Sequence, residues 1–152
     1  MWLALAGVDI LSDAPIIDWE SFSASRSALG ADFIRILGYF REDGTKSVVR
    51  IEEGMRARNA VALVIPAHTL KGEARQFGAD ALADLAEHVE TVARHCVEWR
   101  QEPDELLPHV VKLRPLFEET MAAFDRETNP LVERRVGFGK KPVVTNQGFG
   151  RI

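Results

Sequence analysis

Residues 60–77, "AVALVIPAHTLKGEARQF", carry the clearest helical periodicity in the chain. Five apolar residues recur there at alternating steps of four and three: Leu63, Ala67, Leu70, Ala74 and Phe77. This spacing is typical of an apolar seam between packed helices, so it predicts one helix of a bundle. Gly78 follows directly, where a glycine commonly ends a helix.

The seam also determines which way His68 points. At ~100° per residue, His68 lies roughly 140° from the seam, and Lys71, Gly72 and Arg75 share its outward side. We therefore expect an exposed imidazole with a cation and a residue without a side chain beside it. Pro66 removes one backbone donor two residues earlier, which predicts a kink.

Similar apolar stripes predict three further long helices, at about residues 31–58, 80–100 and 103–128. A break of the first at Asp43–Gly44 stays open as an alternative. Pro108 and Pro115 predict that the last helix is bent or starts late. Asp18 is the predicted N-cap of a short preceding helix, and the sequence predicts an apolar staple around this cap from Ile17 to Phe22.

These patterns predict an all-α protein: an antiparallel up-and-down four-helix bundle with a short extra N-terminal helix. The bundle is expected over residues 16–128. Residues 129–152 form a predicted basic, irregular C-terminal tail, either a mobile tail or an extended arm lying on the bundle. The tail holds two Gly-Phe-Gly triplets and no helical stripe.

Charge and composition exclude several classes of function. The net charge of the 152 residues is −4, with −8 on residues 1–130, which argues against nucleic acid as the main partner. The apolar start "MWLALAGVDIL" is too short to span a membrane. Cys96 is the single cysteine, so no internal disulfide forms, and we expect this residue in the core. A single cysteine is typical of a reducing compartment, and we expect a soluble, cytoplasmic protein that does not bind membranes.

Exposed imidazole is a nucleophile near neutral pH. No Ser-His-Asp or Cys-His arrangement is identifiable. His88 and His95 lie on another predicted helix and His109 on a third, so we expect no metal site. A nucleophilic His68 beside Lys71 suits the transfer of a phosphoryl group, with Gly72 leaving space for a partner. On spacing alone, an inert surface histidine is an equal alternative.

Residues 67–90, "AHTLKGEARQFGADALADLAEHVE", resemble the signature of histidine-containing phosphotransfer (HPt) domains. That pattern has a small residue, the phosphorylated histidine, any residue, a hydrophobic one, then lysine and glycine. A Gly-Ala pair follows about ten positions after the histidine, and helical leucines lead to a Leu-Glu-like ending, here Glu90. The resemblance covers about residues 16–128. Glu73 and Arg75 depart from it, since small residues are common there.

The resemblance implies a phosphorelay carrier rather than a turnover enzyme. His68 would be the phospho-acceptor, Lys71 would stabilise the charge of the phosphoryl group, and Gly72 would give steric clearance. The expected partners are receiver domains of a hybrid histidine kinase and of a response regulator. The receiver would supply Mg²⁺, this chain would have no cofactor of its own, and a monomer is expected.

The alternative function is a non-catalytic helical module that binds or inhibits a receiver or kinase, and a third possibility is a helical protein with an accidental motif. Val64, Ile65 and Arg75 are the predicted partner-binding residues. Val64 and Ile65 are apolar and near the outward side of the helix. Docking of a partner and packing against the N-terminal helix explain them equally well at this point.

Overall fold

The computed structural model describes residues 15–129, which form five α-helices and no strand. They are α1 (Trp19–Leu29), α2 (Phe33–Arg56), α3 (Val61–Gln76), α4 (Asp80–Glu98) and α5 (Leu107–Thr128), with 3₁₀ turns at Gly30–Asp32 and Asp104–Leu106. The long helices α2 to α5 make the predicted all-α four-helix bundle. One compact unit ends at Thr120, and a second begins at Met121 with the last turns of α5.

The apolar seam of α3 is confirmed, because its residues are at most 1% exposed. Phe77 closes this seam between two rings of α2: its centroid lies 5.7 Å from that of Phe33 and 5.5 Å from that of Phe40. Burial of each large side chain contributes about 1.5–3 kcal/mol. Helix α3 packs mainly against α4 and α2, and this packing holds its outward face in a fixed orientation.

Helix α2 runs through Asp43–Gly44 without a break, so the alternative of two shorter helices is wrong. Gly44 is needed there for close packing. A Cβ atom on Gly44 would lie only 2.5 Å from Cε1 of Phe117 in α5. The glycine lets the two helices approach each other, which a turn signal in the sequence does not reveal.

The end of α3 has the predicted glycine. Gly78 has a φ of +76°, and the N–H of Ala79 donates to the carbonyl of Ala74 at 2.9 Å, a Schellman motif. The carbonyl of Gly78 accepts from the N–H of Asp18 at 2.8 Å. Asp18 in turn caps α1 through the N–H groups of Glu20 and Ser21, as predicted. The segment before α1 is thus anchored to the α3–α4 turn.

The predictions made at the prolines have different outcomes. Helix α3 is one element through the buried Pro66, and the kink expected there stays a prediction. Helix α5 starts at Leu107 with Pro108 in its first turn, which confirms a late start, and it includes Pro115. Cys96 is buried in the core as expected.

Within residues 15–129, no helix is long and apolar enough to cross a membrane. The predicted limits of the bundle at residues 16 and 128 stay predictions. The basic tail beyond Asn129 lies outside the described residues.

Candidate functional site

His68 lies on the outward side of α3, and its side chain is 57% exposed. The packing of α3 causes this, since burial of Ala67 and Leu70 turns the intervening face toward solvent. Gly72 lies one turn further on and is exposed. A Cβ atom on Gly72 would meet no heavy atom within 4 Å, so the space beside the imidazole is open.

Glu90 of α4 orients the imidazole. Its Oε2 lies 2.9 Å from Nδ1 of His68. An ionised carboxylate only accepts hydrogen bonds, so Nδ1 carries the proton and donates it to this contact. In the neutral ring, Nε2 then keeps its lone pair and is the nucleophilic atom.

The same carboxylate holds two cations. Nζ of Lys71 lies 2.9 Å from Oε1 of Glu90, and Arg94 donates from Nε and Nη2 to Oε2 at 3.0 and 2.8 Å. Burial favours the protonated carboxyl group. The contacts from Lys71, Arg94 and His68 outweigh this burial and lower the pKa of Glu90 to about 2. Glu90 is therefore ionised at neutral pH.

The burial of Glu90 corrects what the sequence pattern indicates, since Glu90 shares the polar side of its helix with Glu87, Arg94 and Glu98 and would be expected to face solvent. Glu90 is only 5% exposed, next to the fully buried Val89. The pattern along α4 identifies polar residues but not their partners on α3, 19 and 22 positions earlier. Glu90 and Arg94 have the i,i+4 spacing that favours an ion pair, and this pair does form. Glu90 is also the residue at which the signature ends.

Arg75 lies on the other side of Gly72 from His68 along α3 and is engaged within the chain. Its Nη2 donates to Asp84 at 2.9 Å and to Glu87 at 2.7 Å, and these hydrogen bonds raise the pKa of the guanidinium. Asp80 is within 4.0 Å of Nη1. The role of Arg75 in binding a partner stays a prediction.

An apolar surface lies on the side of His68 toward the start of α3. It surrounds an open cavity of about 520 Å³ lined by Val61, Val64, Ile65, Arg94, Val97 and Glu98. We call this set the α3–α4 patch. Ile65 is 66% exposed, so packing against the N-terminal helix does not account for it. Val64 is partly exposed.

Residues 15–129 contain no group of three or more His, Cys, Asp or Glu side chains that could hold a metal ion. His88 and His109 do meet, with ring centroids 4.2 Å apart, between α4 and α5. Burial, His88 and Lys112 lower the pKa of His109.

The model of the Hpt domain family matches residues 35–126. A search of curated proteins gives no significant match. The fold resembles the crystal structure of histidine-containing phosphotransfer protein B (HptB) from Pseudomonas aeruginosa PAO1, with a TM-score of 0.65 and 22% sequence identity. That match covers 76% of this chain and 96% of the other.

The chain therefore belongs to the Hpt domain family. Its function is histidine phosphotransfer in a phosphorelay, in which Hpt domains interact with receiver domains. The alternative of a non-catalytic module is not favoured.

Proposed function

We propose that His68 accepts a phosphoryl group from the aspartyl phosphate of one receiver domain and passes it to the aspartate of another. One observation carries this assignment: His68 is exposed, and Nδ1 is engaged by the ionised Glu90, which leaves Nε2 free to attack. This histidine is also the one that matches the family signature.

In the proposed reaction, the lone pair of Nε2 forms a bond to phosphorus while the bond from phosphorus to the aspartyl oxygen breaks. The aspartate leaves as a carboxylate, and the attacking ring gains positive charge. Nδ1–H keeps its proton, and the carboxylate of Glu90 at 2.9 Å stabilises that charge. Transfer to the second receiver is the same step in reverse. Mg²⁺ would be supplied by the receiver, where it would neutralise charge on the phosphoryl oxygens.

Lys71 is the proposed partner of the phosphoryl group on this chain. Its ammonium is held 2.9 Å from Glu90, one turn from His68, and its side chain is 27% exposed. A phosphoryl group on Nε2 would compete with Glu90 for this ammonium, while Arg94 continues to neutralise the carboxylate. The open space over Gly72 would admit the receiver.

The proposed docking surface for the receiver is the α3–α4 patch, with Val64 and Ile65 near its centre. Exposed apolar surface with charges at its edge is typical of protein interfaces, and Arg94 and Glu98 supply those charges. Arg75 would contribute from the other side of His68, provided that the receiver displaces its internal partners. The proposed partners are receiver domains of a hybrid histidine kinase and of a response regulator. The protein itself is proposed to be a cytoplasmic monomer that does not bind nucleic acid.

The experiment is phosphotransfer from a radiolabelled receiver. We expect the protein to take up label as an acid-labile, base-stable adduct, and His68→Gln to take up none. His95→Gln is the matched control, because it removes an exposed imidazole from a different helix, α4. Persistent labelling of His68→Gln would overturn the assignment. A variant that binds the receiver normally but is not labelled separates loss of chemistry from loss of docking.

A further inference from the structure

Arg94 contacts both the buried carboxylate of the site and the docking surface. Its guanidinium group donates to Glu90 from Nε at 3.0 Å and from Nη2 at 2.8 Å. The same side chain lines the α3–α4 patch and is 56% exposed. A cation at the edge of an interface does not need two hydrogen bonds to a buried carboxylate, so the contact with Glu90 indicates a role beyond docking.

The two oxygens of the Glu90 carboxylate have different partners. Oε2 accepts both hydrogen bonds from Arg94 and the one from Nδ1 of His68. Oε1 is buried and accepts no well-directed hydrogen bond from the part of the chain that the structure describes, so its 2.9 Å contact with Nζ of Lys71 is an ion pair. Arg94 thus acts on the oxygen that contacts the imidazole, and Lys71 acts on the other one.

The two cations also differ in how firmly they are held. Arg94 lies one turn from Glu90 on the same helix, and the planar guanidinium fixes the direction of its two N–H groups. Lys71 approaches from α3 with a flexible stem and a compact charged group. Arg94 is therefore the cation that stays on the carboxylate when, under the proposed function, Lys71 turns to the phosphoryl group.

The charge on Glu90 affects the proton inventory of His68. An ionised carboxylate beside an imidazole favours the cationic ring, in which both nitrogens carry a proton. That ring has no lone pair on Nε2 and cannot attack phosphorus. A guanidinium on the same carboxylate oxygen offsets part of this effect, because its positive charge opposes a second positive charge nearby. Glu90 can then accept from Nδ1–H without drawing another proton onto Nε2.

We propose that Arg94 is a positioning residue for phosphotransfer, which fixes the carboxylate of Glu90 and keeps Nε2 of His68 unprotonated at neutral pH. Arg94 acts on the imidazole through Glu90. The inference rests on the proposed role of His68 as phospho-acceptor. Its effect on the ring is nevertheless a property of the unphosphorylated protein and is measured without a receiver.

The first measurement is a ¹⁵N NMR titration of the His68 ring in the full chain between pH 5 and 9. In Arg94→Gln, the midpoint of Nε2 protonation should lie about one pH unit higher than in the unmodified protein, a tenfold change in proton affinity. Arg94→Lys keeps the positive charge and should restore most of this difference. Arg50→Gln, which removes an exposed cation from α2, should leave the midpoint unchanged. Equal midpoints in Arg94→Gln and the unmodified protein would rule out the proposal.

The second measurement separates positioning from docking, by following transfer from a phosphorylated receiver at several receiver concentrations and pH values. In Arg94→Gln, the rate at saturating receiver should fall, and the acid limb of its pH profile should move up by about the same one unit. Glu98→Gln removes another charge from the α3–α4 patch and should change only the receiver concentration at half-saturation. If Arg94→Gln changes only this concentration, Arg94 is a docking residue and the proposal is wrong.

The role of Arg94 and the proposed function can fail separately. If His68→Gln is still labelled, the proposed function is wrong, and the NMR midpoints still decide whether Arg94 acts on the ring. If labelling requires His68 but the midpoints of Arg94→Gln and the unmodified protein agree, only the role of Arg94 is wrong.

Discussion

Replacement of Glu90 by glutamine tests the core of the site, because one carboxylate there serves three partners. Glutamine keeps the shape and one acceptor oxygen of a protonated glutamate but removes the negative charge. His68, Lys71 and Arg94 would all lose a charge-assisted hydrogen bond or ion pair. The variant therefore imitates, at neutral pH, what protonation would do to Glu90 in strong acid.

The magnitude follows from the pKa of Glu90, which lies at about 2 in the fold against an ordinary value of 4.5. This difference corresponds to about 3 kcal/mol of stability at neutral pH. Since Lys71 and Arg94 are partly exposed, solvent screening lowers the expected loss in Glu90→Gln to about 2 kcal/mol. The contribution of Glu90 is present above pH 4.5 and is lost as the pH falls toward 2, so the two proteins should converge in acid.

The effect on chemistry is separate from the effect on stability. A hydrogen bond to a charged acceptor exceeds one to a neutral acceptor by about 1 kcal/mol, so phosphotransfer should slow by roughly fivefold. ¹⁵N NMR of His68 should show Nδ1 as the protonated nitrogen in the unmodified protein and a mixture of tautomers in Glu90→Gln.

Urea unfolding at pH 7, 4 and 2.5 measures the stability difference. Glu87→Gln is the matched control on the same helix, because it removes an exposed ion pair with Arg75 worth less than about 1 kcal/mol. Equal stability of Glu90→Gln and the unmodified protein at pH 7, or a difference that persists unchanged at pH 2.5, would refute the reasoning.

Two further predictions concern the surface around His68. Gly72→Gln should leave the free energy of unfolding unchanged or raise it by up to about 1 kcal/mol, because no atom opposes a side chain there and glutamine favours helix. Phosphotransfer should nevertheless fall. Unchanged transfer would show that the receiver does not use the space over Gly72. Ile65→Asp should leave the free energy of unfolding within about 0.5 kcal/mol and weaken receiver binding about tenfold or more, as measured by calorimetry. Gln76→Asp, three turns along α3, is its control, and equal binding by the two variants would remove the α3–α4 patch from the interface.

The sequence predicted the helices and the exposure of His68 because both follow from local periodicity. The seam of α3 needs only the spacing of its own apolar residues, and the phase of that seam places His68 outward without knowledge of any other helix. Gly78 and Asp18 were equally predictable, since helix ends depend on residues within one turn.

The electrostatics of the site depend on distant residues and were not predictable in this way. The contacts of Glu90 with His68 and Lys71 join two helices, and no rule of spacing connects positions 68 and 90. The same holds for Arg75, whose acidic partners lie on α4. At Gly44 the predicted continuous helix is confirmed, and the structure adds the reason for a glycine there, because a ring of α5 packs against it.

The most direct test of the account is to locate the phosphoryl group after transfer from a phosphorylated receiver. Two-dimensional ¹⁵N and ³¹P NMR of the labelled protein identifies the histidine and the ring nitrogen that carry it. We predict phosphorus on Nε2 of His68, with Nδ1 still protonated and hydrogen-bonded to Glu90. A phosphoryl group on Nδ1 of His68, or on any other residue, would contradict the account.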